Sequence, residues 1–193
     1  MALWGITDAD EAKPKWLTTA QKKEVFANNS GWVVEAGSTQ TGNDNTDAQP
    51  EVLCCVGDLA TGIGAADITE IEFITTAFDK SDGGNIDVRV RFNEAVTVNT
   101  SGGTPTLTIT NDTPSRNLTA TYLSGSTTNE LIFRKTIAAA NAATNAGDVL
   151  SIAANAMALA SGTIKDTADG STNATITNSG AIGTAAGTIT VAA

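Results

Sequence analysis

Alternation of apolar and polar positions dominates the chain from Asp67 onward. Ile86, Val88, Val90 and Phe92 alternate with Asp87, Arg89 and Arg91, and this period of two predicts a strand with one buried face. Val96 and Val98 extend the alternation after a break at Asn93, Glu94 and Ala95. Residues 105–110 and 118–122 repeat it, 68–74 form a mixed apolar strand, and 130–137 form the most apolar strand. Residues 138–160 are alanine-rich, which favours helix by propensity alone. Asn141, Asn145, Gly147 and Asn155 interrupt the run, so two short strands are expected, around Val149, Leu150 and Ile152 and around Met157 and Leu159. Residues 163–165 and 174–177 complete the set. Short strands punctuated by turns every 8–12 residues predict a β-sandwich over 67–178.

The first 60 residues follow another pattern. Trp4, Trp16 and Trp32, all the tryptophans of the chain, lie there, with Lys13, Lys15, Lys22 and Lys23. Thr18 and Gln21 have capping-box spacing, which predicts a short helix over 21–27 with Val25 and Phe26 as its apolar residues. Residues 28–31 stop it, 32–34 and 51–56 are strand candidates, and 37–50 are a polar loop. So short a segment buries three tryptophans poorly. The expected organisation is therefore an N-terminal docking segment (1–60), a linker (61–66), the sandwich (67–178) and a tail or edge strand (179–193). Trp4, Trp16, Phe26, Trp32, Lys13 and Lys15 are the candidate interface residues.

Composition narrows the chemistry. The 193 residues include 11 Lys plus Arg against 21 Asp plus Glu, a formal net charge of −10. Without a basic block, neither nucleic acid nor an anionic membrane surface is an expected partner. The absence of histidine removes imidazole acid–base catalysis and His-ligated zinc. Glu70, Glu72, Glu94 and Asp87 sit on strands where paired carboxylates are conceivable, but an acidic surface supplies such residues without catalysis. The groups Asp79, Asp82 and Asn85, then Asp166, Asp169 and Asn173, then Asn43, Asp44, Asn45 and Asp47 offer oxygen ligands, yet none has the spacing of the twelve-residue calcium loop. Such residues are also ordinary turn formers. No enzyme, metal or cofactor is expected. Cys54 and Cys55 are adjacent and read as reduced, mostly buried thiols on opposite strand faces. The first residues are acidic and lack an apolar signal region, so synthesis in the cytoplasm, without secretion, is expected.

Two resemblances extend this reading. Arg91-Phe92-Asn93-Glu94-Ala95-Val96-Thr97-Val98, followed by Thr104-Pro105-Thr106-Leu107, Ala120-Thr121-Tyr122, Leu131-Ile132-Phe133 and Thr163-Ile164-Lys165-Asp166, resembles the strands of bacterial immunoglobulin-like repeats. That resemblance implies an immunoglobulin-like sandwich without the cysteine pair and core tryptophan of antibody domains. Met1-Ala2-Leu3-Trp4-Gly5, Lys13-Pro14-Lys15-Trp16-Leu17-Thr18 and Gly31-Trp32-Val33, with Pro50-Glu51-Val52-Leu53 and Gly57-Asp58-Leu59, is similar to virion structural proteins of tailed phages of marine bacteria. It implies a particle component.

The expectation is a non-enzymatic virion structural protein, in the first place a capsid decoration protein. Its partners would be the major capsid protein or other virion proteins, with multiple copies or a homo-oligomer on the particle. The alternatives are a tail or neck component, and a cell-surface adhesion or carbohydrate-binding module.

Overall fold

Thr18 and Gln21 nucleate the first element as their spacing predicts. The Gln21 amide donates to Thr18 Oγ1 at 3.2 Å, and the Thr18 amide donates to Gln21 Oε1 at 2.9 Å. The structure is a computed structural model and describes residues 13–42 and 44–193. In it, α1 spans only Thr19–Lys23. It stops there because Val25 and Phe26 enter a strand, β1 (Val25–Asn28), rather than continuing the helix as the sequence suggests. β-branched and aromatic side chains suit a strand buried on both faces, and here Val25, Phe26 and Ala27 are all buried.

β1 turns into β2 (Gly31–Val34) as an antiparallel hairpin, with Ala27 opposite Trp32. Gly31 is required at the turn: its φ is +132°, and a Cβ there would lie 2.0 Å from the Cys54 carbonyl oxygen. β3 (Glu51–Cys55) pairs with β2 and ends the sheet. Alternate residues Val25, Ala27, Trp32 and Val34 face a small core with Leu59, Ala60 and Ile63. Leu59 and Ala60 belong to α2 (Leu59–Gly62), which runs into the first two residues of the 61–66 stretch read as a linker, and Ile63 of that stretch is buried in the same core. Cys54 packs against this core while Cys55 is exposed, so only one of the two thiols is a packing residue. Both are free.

The larger core belongs to the main β body. Its strands are β4 (Ile68–Phe73), β5 (Phe78–Asp79), β6 (Gly84–Asn99), β7 (Thr106–Asn111), β8 (Leu118–Ser124), β9 (Thr128–Ile137), β10 (Val149–Ser151), β11 (Met157–Ala158), β12 (Thr163–Asp166) and β13 (Ile189–Ala192). The alanine-rich stretch does supply two short strands. β6 is the axis: Ile86, Val88, Val90 and Phe92 are all buried, and the strand runs through the predicted break as a register shift between Arg91 and Val96. The described strands form one mixed sheet in the order β3-β2-β1-β6-β9-β8-β7-β10-β13-β5, with β4 and β12 also on β6 and β11 on β7. A parallel bridge, Ala27 to Glu94, attaches β1 to β6.

Residues 179–193 are not a loose arm or an edge. α3 (Gly180–Ala185) is capped by Ser179, whose hydroxyl accepts from the Ile182 amide at 3.3 Å. β13 lies between β10 and β5, with Ile189 and Val191 buried. The chain is therefore mainly β, with a second small core built on the same sheet.

Candidate docking site

The alternation of β6 places Arg89 and Arg91 on its outer face. Register then sets acidic residues opposite them: Glu70 and Glu72 on β4, and Glu130 on β9. Arg91 Nη1 donates to Glu70 Oε2 at 2.8 Å and Nε to Glu130 Oε1 at 2.5 Å. Glu35, just beyond β2, completes the cluster: its Oε1 lies 3.3 Å from Arg91 Nε and accepts from Asn129 Nδ2 at 2.8 Å. Lys23 of α1 pairs with Glu70, and Arg89 with Glu72. The N-terminal unit thus covers a polar sheet face, and Arg91 is only 6% exposed.

The electrostatics follow from this burial. Burial opposes ionisation of Arg91, but Glu35 and Glu130 outweigh it and hold the guanidinium charged. Burial pushes the Glu35 carboxyl up, and Glu130 adds to that, against Arg91 and Asn129. Burial also works on Glu70, where hydrogen bonds from Lys23 and Arg91 prevail and lower its pKa. Removing one partner from such a cluster leaves buried charges uncompensated, so the network fixes how the N-terminal unit sits on the body. Asp87 and Arg134 form a separate bidentate pair at 2.7 and 2.6 Å. Of the four strand carboxylates, Glu70, Glu72 and Asp87 are thus held in ion pairs, while Glu94 is fully buried.

A cleft of about 460 Å³ opens beside this network, between α1, β4 and α3. Lys13, Lys22 and Lys23 line one side, Thr69 and Glu70 another, and Ala181, Ile182 and Ala185 the floor. Gly183 seats α3 against the body: a Cβ there would lie 2.4 Å from the Ile152 carbonyl oxygen. Lys13 Nζ donates to the Lys22 carbonyl at 2.7 Å. Burial lowers its pKa to about 8, with Glu35 and Glu70 opposing and Arg91 and Lys22 assisting. Among the described residues neither Lys13 nor Lys22 has a carboxylate within ion-pair distance.

The nominated interface residues separate sharply. Trp16 is 57% exposed and Lys15 is exposed. Trp32 is fully buried at the centre of the small core, and Phe26 is buried on the opposite face of β1. Both therefore pack within the chain, which corrects the expectation that this segment has little core of its own. Lys13 is half-buried in the cleft, and Trp4 lies outside the described residues. Nothing in the sequence pattern marks the α3 floor or the buried Arg91. The oxygen-rich turns close on themselves: Asp79 Oδ1 accepts from the amide and hydroxyl of Ser81, and Asp169 Oδ1 from the amides of Ser171 and Thr172. Asp166 is buried, and Asn43 lies outside the described residues. Among the described residues no group of three or more acidic or cysteine side chains is placed to hold a metal.

Comparison with family models, curated proteins and solved structures finds no match to this chain.

Proposed function

We propose that this chain is a non-enzymatic structural protein of a phage particle, docked through its N-terminal unit. The main β body would be an immunoglobulin-like sandwich projecting from the particle. The observation that carries the docking role is the exposed indole of Trp16, set between Lys15 and Leu17 at the start of the N-terminal unit. Tryptophan is the residue type most enriched where protein interfaces bury their central anchors. Phe26 and Trp32, by contrast, hold the unit together so that Trp16 is presented from a fixed scaffold. The network around Arg91 keeps that scaffold in one orientation on the body.

A major capsid protein is the partner of first choice, with many copies of this chain on one shell and none of its own chemistry required. The sequence resemblance to virion proteins supports this, as does the acidic composition, since net charge favours solubility at high copy number. The test is sedimentation of particles from an expressing phage-infected culture, followed by quantification of this chain. The wild-type chain is expected in the particle fraction, and Trp16→Ala is expected to deplete it there without changing its melt. Absence of the wild-type chain from purified particles would refute the proposal.

A further inference from the structure

The cleft between α1, β4 and α3 combines two properties that rarely share one surface. Its floor is apolar, made by Ala181, Ile182 and Ala185. Its wall carries three lysines against one carboxylate, and that carboxylate, Glu70, is already held by Lys23 and Arg91. Among the described residues neither Lys13 nor Lys22 makes an ion pair, in a chain whose net charge is −10. Lys13 is the more telling of the two. Its half-buried ammonium has three donors to satisfy, and the described residues give it one acceptor, the Lys22 carbonyl. A charge drawn partly out of water gains from a counter-charge. The site is also of ordinary ligand size, since small-molecule and side-chain pockets begin near ~300 Å³.

We infer that this cleft binds an acidic segment of a partner polypeptide, a carboxylate side chain beside an apolar one. The carboxylate would bridge the ammonium groups of Lys13 and Lys22, and the apolar neighbour would cover Ala181, Ile182 and Ala185. Charge complementarity selects this occupant. A purely apolar segment leaves Lys13 uncompensated, and a purely acidic one leaves the α3 floor in water. The inference rests on the docking role proposed above and names the chemistry that role uses: an acidic, apolar stretch on the shell.

The probe is a fluorescein-labelled, end-blocked peptide of alternating leucine and glutamate, titrated into the full chain at low salt and read by anisotropy. Saturable binding is expected, weakened at least about tenfold when glutamine replaces each glutamate or when Lys22→Glu reverses the wall. Ala185→Phe, which fills the exposed floor, is expected to weaken it similarly. Lys135→Glu makes the same charge change outside the cleft and should leave binding within about twofold. Circular dichroism and melting of each variant establish that it is folded. Equal binding by the glutamine peptide, equal loss with Lys135→Glu, or insensitivity to both Lys22→Glu and Ala185→Phe would each overturn the inference. So would saturation of the cleft by octanoate with no binding of the peptide, which would assign it to a free amphiphile. The particle reading is judged separately: if Lys22→Glu sediments with particles as well as wild type, the cleft is not the contact although the docking role stands. If peptide binding is lost with Lys22→Glu but the wild-type chain never sediments with particles, the cleft stands and the particle role falls.

Discussion

Truncation of Trp32 to alanine tests whether the N-terminal unit has a core. The indole is fully buried among Val25, Ala27, Val34, Leu59, Ala60 and Ile63. Trp→Ala at such a site costs ~3–5 kcal/mol from lost transfer energy and residual cavity. One feature moves the expectation toward the lower end. Trp32 Nε1 is buried without a hydrogen-bond partner among the described residues, and an orphaned buried donor costs about 1–3 kcal/mol. Deleting the ring removes that cost with it, so about 3 kcal/mol is expected. Trp32→Phe keeps most of the packing and also removes the orphan donor, so it should cost under about 1 kcal/mol. Trp16→Ala, at an exposed site, should lie within about 0.5 kcal/mol of wild type. Urea unfolding followed by two probes makes the measurement. All three tryptophans lie in the first 32 residues, so their fluorescence follows the N-terminal unit, while far-ultraviolet circular dichroism follows the sheet. If Trp32→Ala leaves the fluorescence midpoint where it was, or if Trp16→Ala shifts it as far, the assignment of Trp32 to a core is wrong.

Two further outcomes follow from the charges. The pKa of Lys13 is lowered in the fold to about 8 from 10.5, so the folded state binds fewer protons than the unfolded state between those values, and stability should rise with pH through that window by about 1–2 kcal/mol after allowance for solvent screening. Lys13→Gln should flatten the rise while Glu35, Glu70, Arg91 and Lys22, the charges around it, are retained; an unchanged slope in denaturant midpoints from pH 8 to 10.5 would contradict the desolvated ammonium. Arg91→Met should cost about 3–5 kcal/mol at pH 7, because Glu35, Glu70 and Glu130 lose their shared cation. Part of that loss should return below about pH 5 as those carboxylates take up protons; chemical denaturation at the two pH values checks both halves.

Most strands of the main β body were legible because their alternation is local, and so was the capping box of Thr18 and Gln21. Residues 174–177, read as a strand, make only the isolated bridge of Thr175 to Asp67, and the two-residue β5 has no alternation to read. The fate of residues 24–28 was not legible. Val25 and Phe26 satisfy a helical stripe as well as a strand, and only the partner strands, β2 on one side and β6 on the other, decide between them. Arg91 shows the same limit more sharply. Period-two reading assigns it to the outer, solvated face of β6, and that is where it is. Its burial comes from Glu35, Lys23 and the hairpin laid over that face, and nothing near Arg91 in the sequence announces the cover. The tryptophans misled for a related reason. A short segment read alone has too little area to bury Trp32, but the helical turn at Leu59–Gly62 supplies the missing wall.

The position of β13 bears on the order in which the chain can be made and folded. Residues 189–192 pair with β10 and, in parallel, with β5 more than a hundred residues earlier. Synthesis proceeds at about 5–20 residues per second from the N-terminus. For several seconds, then, β5 and β10 have emerged but wait for the strand that joins them. Through that interval Phe78 and Leu150 are without the Ile189 and Val191 that later cover them. A chain released early, short of residue 189, would keep that exposed apolar seam and be open to proteases and aggregation. Closure of the sheet therefore waits for residues 189–192, and no earlier segment among the described residues stands between β10 and β5 in their place.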